Sequence, residues 1–152
     1  MGEWAFEHAV VTRARRADVW TYWSDLRNHA RMEPGVERIE LDGPFATGTT
    51  GRTIATGFTQ EWWLADVVPE RRFVITGLTP DGAGSLSFAW EFEDDEAGTR
   101  MTQRISATGP QVEEYLEVFR QMEVGAPAGM ARLAAELDRL TQDAGFQAPR
   151  GS

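Results

Sequence analysis

Along WAFEHAVVTR, Trp4, Phe6, His8 and Val10 alternate with Ala5, Glu7, Ala9 and Val11, which is the two-residue period of a half-buried strand. The period then lengthens. In RADVWTYWSDLRNHARM, Val19, Tyr22, Trp23 and Leu26 fall on one helical stripe, with Asp18 placed to cap its start and Pro34-Gly35 to end the helical pair. Six strand-like pieces follow, at 36–41, 49–56, 60–67, 73–78, 85–93 and 99–107. The gaps between them are rich in Gly, Pro and Asp and short, which favours hairpins and an antiparallel sheet. From Pro110, suited to a first helical turn, to about Thr141 the spacing is helical again. Val112, Tyr115, Leu116, Phe119, Met122, Ala126, Met130, Leu133, Leu137 and Leu140 recur at steps of three and four. GAPAG, 125–129, interrupts that stripe. Pro127 predicts a kink or a break there, because proline lacks the amide proton and collides with the preceding turn.

An antiparallel sheet with one apolar face must be covered, and the only element long enough is the last helix, about 45 Å if continuous. The pattern predicts one α+β domain over 1–144, followed by a loose tail, 145–152. Its seven-stranded curved antiparallel sheet wraps around a long C-terminal helix, with two short helices after strand 1. Strongly twisted strands curling around one helix leave space beneath it. Phe88, Trp90 and Phe92 share one face of a single strand. They either fill a core or line a hole.

Composition narrows the function more than the fold. With 41% hydrophobic and 26% charged residues in 152, the chain is an ordinary globular sequence. No apolar run approaches the roughly 20 residues of a membrane span. MGEWAFEHAV shows neither a secretory leader nor a myristoylation signal. The absence of Cys excludes disulfide and thiol chemistry and fits a reduced, cytoplasmic setting. A net charge of −9, from 24 acidic and 15 basic residues, argues against nucleic acid and anionic membranes, and RARR, 13–16, is too short a basic patch to reverse that.

Four stretches carry a family resemblance: RADVWTYWSDLRNHARMEPGV after the first strand, GPFATGTTGRT, WWLADVVPERRFVITG and FAWEFEDDEAGTRMTQRI. Their order and spacing, over about residues 4–141, resemble the START/Bet v 1-like helix-grip superfamily (SRPBCC). Within it, the chain is most similar to the bacterial polyketide cyclase/dehydrase and lipid transport group. The resemblance implies a hydrophobic cavity between sheet and C-terminal helix, holding a lipid, sterol, quinone, hormone or aromatic polyketide. It implies no cofactor, allows a homodimer, and includes enzymes that cyclise and aromatise polyketide chains.

The residues themselves carry little chemistry. His8 and His29 are too few and too far apart for a metal site. His29, among polar neighbours, is expected on the surface; His8, sharing a face with Phe6 and Val10, is either a structural histidine or a ligand contact. No serine stands in a nucleophile motif, no phosphate loop exists, and EDDE, 93–96, reads as a solvated turn. Arg52, Gln103 and Tyr115 are polar groups that reach the cavity or are satisfied elsewhere, and for Arg52 the alternative is an ion pair on the outer face. The 60–67 strand is ambiguous, since Gln60, Trp62 and Leu64 share one face and Glu61, Trp63 and Ala65 the other, and a bulge would exchange them. The candidate ligand-binding set is therefore His8, Trp20, Trp23, Arg52, Trp63, Ile75, Phe88, Trp90, Gln103, Tyr115, Phe119 and Met122. The mouth is expected between GLTPDGAG, 77–84, and the turn before Pro110. Three readings stay open: a hydrophobic-ligand binder, a cyclase/aromatase-like enzyme, and a protein-interaction module with a vestigial cavity.

Overall fold

The structure, a computed structural model, describes residues 2–147. Strand β1 (Gly2–Thr12) leads into two short helices, α1 (Arg16–Trp23) and α2 (Leu26–Met32). Six strands follow: β2 (Val36–Leu41), β3 (Thr50–Ala55), β4 (Phe58–Val68), β5 (Arg72–Leu78), β6 (Ser85–Asp95) and β7 (Gly98–Gly109). After a single 3-10 turn, Val112–Tyr115, comes α3 (Leu116–Gln147). Residues 148–152 of the tail expected to be loose lie outside the described residues.

The seven strands form one antiparallel sheet in the order β1-β7-β6-β5-β4-β3-β2. Every pairing from β2 to β7 joins sequence neighbours, as short hairpin gaps require. The exception is β1, which returns to pair with β7 along its whole length. The helices α1 and α2 therefore carry the chain from one edge of the sheet to the other. Asp18 does not cap α1: Arg15 precedes the helix without a side-chain bond, and Asp18 sits in the first turn facing Arg15 at 3.6 Å. The working cap is Asp25, whose carboxylate accepts the Arg27 amide of α2 at 3.0 Å. Pro127 does not break α3, which runs as one helix through it.

The helix lies along β1 and is fastened at both ends. Near its start, Phe119 stacks on Trp4 with ring centroids 4.5 Å apart, and the Trp4 indole donates to Glu123 Oε2 at 2.8 Å. Near its end, Asp138 Oδ1 accepts the Thr12 hydroxyl at 2.6 Å and the Arg13 amide at 2.7 Å. The geometry matches: eight residues of strand from Trp4 to Thr12 span about 26 Å, and fifteen of helix from Glu123 to Asp138 about 23 Å.

Each fastened end is solid. At the far end Val19, Phe73, Phe92, Met101, Leu133 and Leu137 pack among themselves. At the near end Ala107, Val112 and Phe119 pack with Trp4, Leu86 and Tyr115. A third cluster, Leu26, Trp62 and Leu64, lies under α2.

Removing the Asp138 carboxylate leaves the Thr12 hydroxyl and the Arg13 amide without their acceptor. Asp138→Ala should cost about 2 kcal/mol, lowering the thermal midpoint by roughly 4–8 °C in a chain of this size. Circular dichroism on heating measures it, and an unchanged midpoint would show that the far fastening contributes nothing. In the same experiment Pro127→Ala should keep the fold.

Candidate functional site

Between the two solid ends lies a cavity of about 670 Å³. Its floor is the concave face of the sheet, with Trp62 from β4, Ile75 from β5, Phe88 and Trp90 from β6, and Gln103 and Ile105 from β7. Its roof is the middle of α3, with Val118, Met122, Gly125, Ala126, Gly129 and Met130. Trp23 at the end of α1 and Leu26, His29 and Met32 of α2 close one side. The space exists because the helix stripe changes size along its length. Phe119 and Leu133 fill the ends, whereas Gly125, Ala126 and Gly129 present almost no side chain to the middle.

The strand β6 shows the transition from full to hollow. Phe92 is 1% exposed in the far cluster, Trp90 belongs to that cluster and to the cavity wall, and Phe88 lines the cavity. Those rings both fill a core and line a hole.

On β4 the register settles the ambiguous strand. Gln60, Trp62 and Leu64 face inward up to a bulge between Leu64 and Asp66; past it Val67 faces the core and Asp66 pairs outward with Arg72 at 2.6 Å. The Trp62 ring crosses Gly51, where a Cβ would also stand 2.6 Å from the Glu40 carbonyl oxygen, and its indole donates to Thr53 Oγ1 at 3.0 Å. Glycine at 51 is what lets Trp62 lie flat as wall.

Of the residues expected to contact ligand, Trp23, Ile75, Phe88, Trp90, Gln103 and Met122 line the cavity. The others are placed elsewhere. Trp20 packs edge-on against Phe45, Phe73 and Phe92 and fills core. Arg52 points to the outer face, paired with Asp42 at 2.9 Å and Glu40 at 3.1 Å, since Gly51 and Thr53 take the inward positions of β3. These two carboxylates hold its guanidinium above the ordinary range. Trp63 shares that outer face because Trp62 is inward. Tyr115 and Phe119 belong to the near cluster that seals the cavity end. His8 stands one strand behind the wall, its Nε2 2.7 Å from Gln103 Oε1.

His29 is the residue that sequence reasoning misplaced. It is 6% exposed, stacked on Trp23 with centroids 3.6 Å apart, and its Nε2 meets the Trp23 carbonyl oxygen at 2.7 Å. The last carbonyls of a helix lack intrahelical partners; His29 takes that of Trp23, and Asn28 that of Tyr22 at 2.7 Å. Polar residues thus bury themselves to complete the end of α1. Burial pulls the His29 imidazole from its ordinary 6.5 down to about 4, against the opposing pull of the Trp23 carbonyl and Asp25.

The opening coincides with the expected one only at Gly77 and Leu78. The 79–84 loop is closed against the end of β7: Gly84 meets the Thr108 and Gly109 backbone, and the Asp81 amide donates to Gln111 Oε1 at 2.9 Å. Phe58, Leu78 and Val118, at 61%, 52% and 45%, are the exposed large apolar residues of the lining. Glu33, Gln60, Gln121, Gly125 and Arg132 are exposed with them, so the cavity opens along α3 opposite the end of α2, the β3–β4 hairpin and the end of β5. Glu33 and Arg132 line its rim. Desolvation raises the Glu33 carboxyl, and Arg132 opposes the rise.

The family described as polyketide cyclase/dehydrase and lipid transport matches residues 3–145. The chain belongs to that family. Its fold is shared with solved structures of low identity. Zhui aromatase/cyclase from Streptomyces sp. R1128 is 20% identical with a TM-score of 0.73, covering 95% of this chain and 99% of that one. Ara h 8.0201 is 15% identical with a TM-score of 0.67, covering 90% and 98%. The di-domain ARO/CYC StfQ from the steffimycin biosynthetic pathway is 15% identical with a TM-score of 0.74; 93% of this chain matches 52% of that one, so the chain spans about half its length. No curated protein matches the sequence. The helix-grip fold and the superfamily read from the four sequence stretches are borne out. No helix among the described residues is long and apolar enough to cross a membrane.

The burial of His29 makes stability depend on pH with a definite sign. The unfolded chain takes up the proton near 6.5 and the folded chain only near 4. Acidification through that window therefore favours unfolding, by up to about 3 kcal/mol; the loss is absent above the window and stays at its full size below it. Urea midpoints measured from pH 7 to pH 4 for the wild type and His29→Phe should converge as pH falls, because the variant lacks this loss. Parallel curves would contradict the buried neutral imidazole.

Proposed function

We propose that this protein binds a small hydrophobic molecule, such as a lipid, a polyketide or another aromatic compound, between its sheet and its C-terminal helix. The observation that carries the reading is the cavity of about 670 Å³, held open by small residues in the middle of α3 while both ends of the helix are packed solid. Ligand pockets are mostly apolar with a few placed polar groups. This one has Trp, Phe, Ile and Met walls, and Gln103 and His29 as its buried polar lining. Met side chains adapt to varied shapes.

A cyclase or aromatase would need a group that polarises a carbonyl or moves protons inside the cavity. Arg52, the candidate for that role, is committed to Glu40 and Asp42 on the outer face. His29 is a weak base at about 4. Binding without turnover is the reading these residues favour. A partner module with a collapsed cavity is disfavoured by the open volume.

Trp23, Trp62 and Trp90 in the walls make binding readable by intrinsic fluorescence. Titration with a panel of flat aromatic and long-chain lipophiles should give saturable one-to-one quenching at micromolar concentration. Ala126→Phe, which fills the cavity from the helix side, should abolish the quenching while the thermal midpoint stays within a few degrees. Absence of saturable quenching by every compound would overturn the reading.

A further inference from the structure

Two side chains in the cavity wall are more than nine-tenths buried yet have hydrogen-bonding capacity left over. Gln103 is 7% exposed and lies on β7 between His8 of β1 and Trp90 of β6, its register partners on either side. His8 Nε2 meets its Oε1 at 2.7 Å, so the carbonyl end of the amide is taken and the NH₂ end is directed away from His8. His29 is 6% exposed, and its Nε2 is taken by the Trp23 carbonyl. That bond requires Nε2 to carry the proton, leaving Nδ1 as a lone-pair acceptor.

Neither leftover atom has a hydrogen-bond partner among the described residues. They also differ from the buried polar atoms sealed away from any space, which are His8 Nδ1, Arg16 Nε, Trp23 Nε1 and Trp90 Nε1. Gln103 Nε2 and His29 Nδ1 are not among those sealed atoms and belong to residues that line the cavity, which is the ground for placing both at the void. The Trp90 ring stands next to each, paired with Gln103 across the strands and edge-on to His29 with centroids 5.4 Å apart. The cavity thus offers one fixed donor and one fixed acceptor in its buried wall, while its other uncharged polar lining residues, Thr53, Gln60 and Gln121, are half-buried or exposed. Its charged lining groups, Glu33 and Arg132, stand at the rim.

We infer that Gln103 and His29 set ligand specificity, selecting an uncharged molecule that presents a carbonyl oxygen to Gln103 Nε2 and a hydroxyl to His29 Nδ1. His8 is the positioning residue: its bond to Oε1 keeps the amide from turning its acceptor end to the cavity. An acidic ligand placed the other way round, carboxylate inward, would lose its hydration and meet no cation there. This inference rests on the hydrophobic-ligand reading of the cavity and adds polarity to it.

Three probes of one shape test it: fluorene, fluorenone, which adds a carbonyl, and hydroxyfluorene, which adds a hydroxyl. Each added group should tighten binding to the wild type about fivefold, the worth of one net hydrogen bond. Gln103→Leu should erase the fluorenone advantage and keep that of hydroxyfluorene; His29→Phe should do the reverse. His8→Phe, which leaves Gln103 in place, should reduce the fluorenone advantage alone and serves if Gln103→Leu does not fold. Equal affinity of the wild type for all three probes would overturn the specificity inference while the hydrophobic-ligand reading stands. Failure of fluorene and both derivatives to bind would overturn both. Loss of both advantages together in Gln103→Leu would also sink the assignment, since it would mark a general disturbance of the wall.

Discussion

The structure depends on α3 being fastened to β1 at two places a helix-length apart. The Trp4 contacts with Phe119 and Glu123 fix one end, and the Asp138 contacts with Thr12 and Arg13 fix the other. A helix held in this way lies along one edge of the sheet and cannot settle onto the strands beyond it. The sheet curls under it from β7 to β2, and α2 packs across to the opposite edge. What remains between is enclosed by three walls and open on the fourth.

An enclosed space lacks partner atoms for its lining, so each wall residue forgoes dispersion contacts that a filled core would supply. The fold offsets this at the two ends, where aromatic and aliphatic side chains interdigitate with almost no exposure. The division of labour is written along single elements. On β6 the inward face passes from Phe92 in solid core to Phe88 in the cavity wall. On α3 it passes from Phe119 through Gly125, Ala126 and Gly129 to Leu133. Charge plays its part outside: Arg52 with Glu40 and Asp42, and Arg72 with Asp66, decorate the outer surface, where such pairs contribute at most about 1 kcal/mol.

Much of this was legible in the sequence. Strand β2 has the predicted bounds, and the other strands differ by a few residues at their ends. Alternation in β6 and β7 placed Phe88, Trp90 and Gln103 inward. What was not legible is instructive. Which of Trp62 and Trp63 faces in depends on a bulge at Ala65, and period-two counting is silent about bulges. Arg52 was correctly grouped with Thr50 and Ile54, but alternation does not say which face is concave. His29 looked like a surface residue among polar neighbours; its burial follows from the unpaired carbonyl of Trp23, a tertiary demand. The cavity did leave a signal. Large residues at both ends of the helix stripe with Gly-Ala-Pro-Ala-Gly between them mark where the roof thins, whereas the proline rule alone marks that stretch as a place for the helix to bend.

The central claim is that this thinned stretch of helix roofs a binding space. Its most direct test is an amide chemical-shift map of the protein saturated with fluorene. Shifts concentrated on Ile75, Phe88, Gln103, Met122 and the helix from Gly125 to Met130 are predicted. Shifts confined to the outer face around Arg52 and Trp63, or none at saturating concentration, would contradict it.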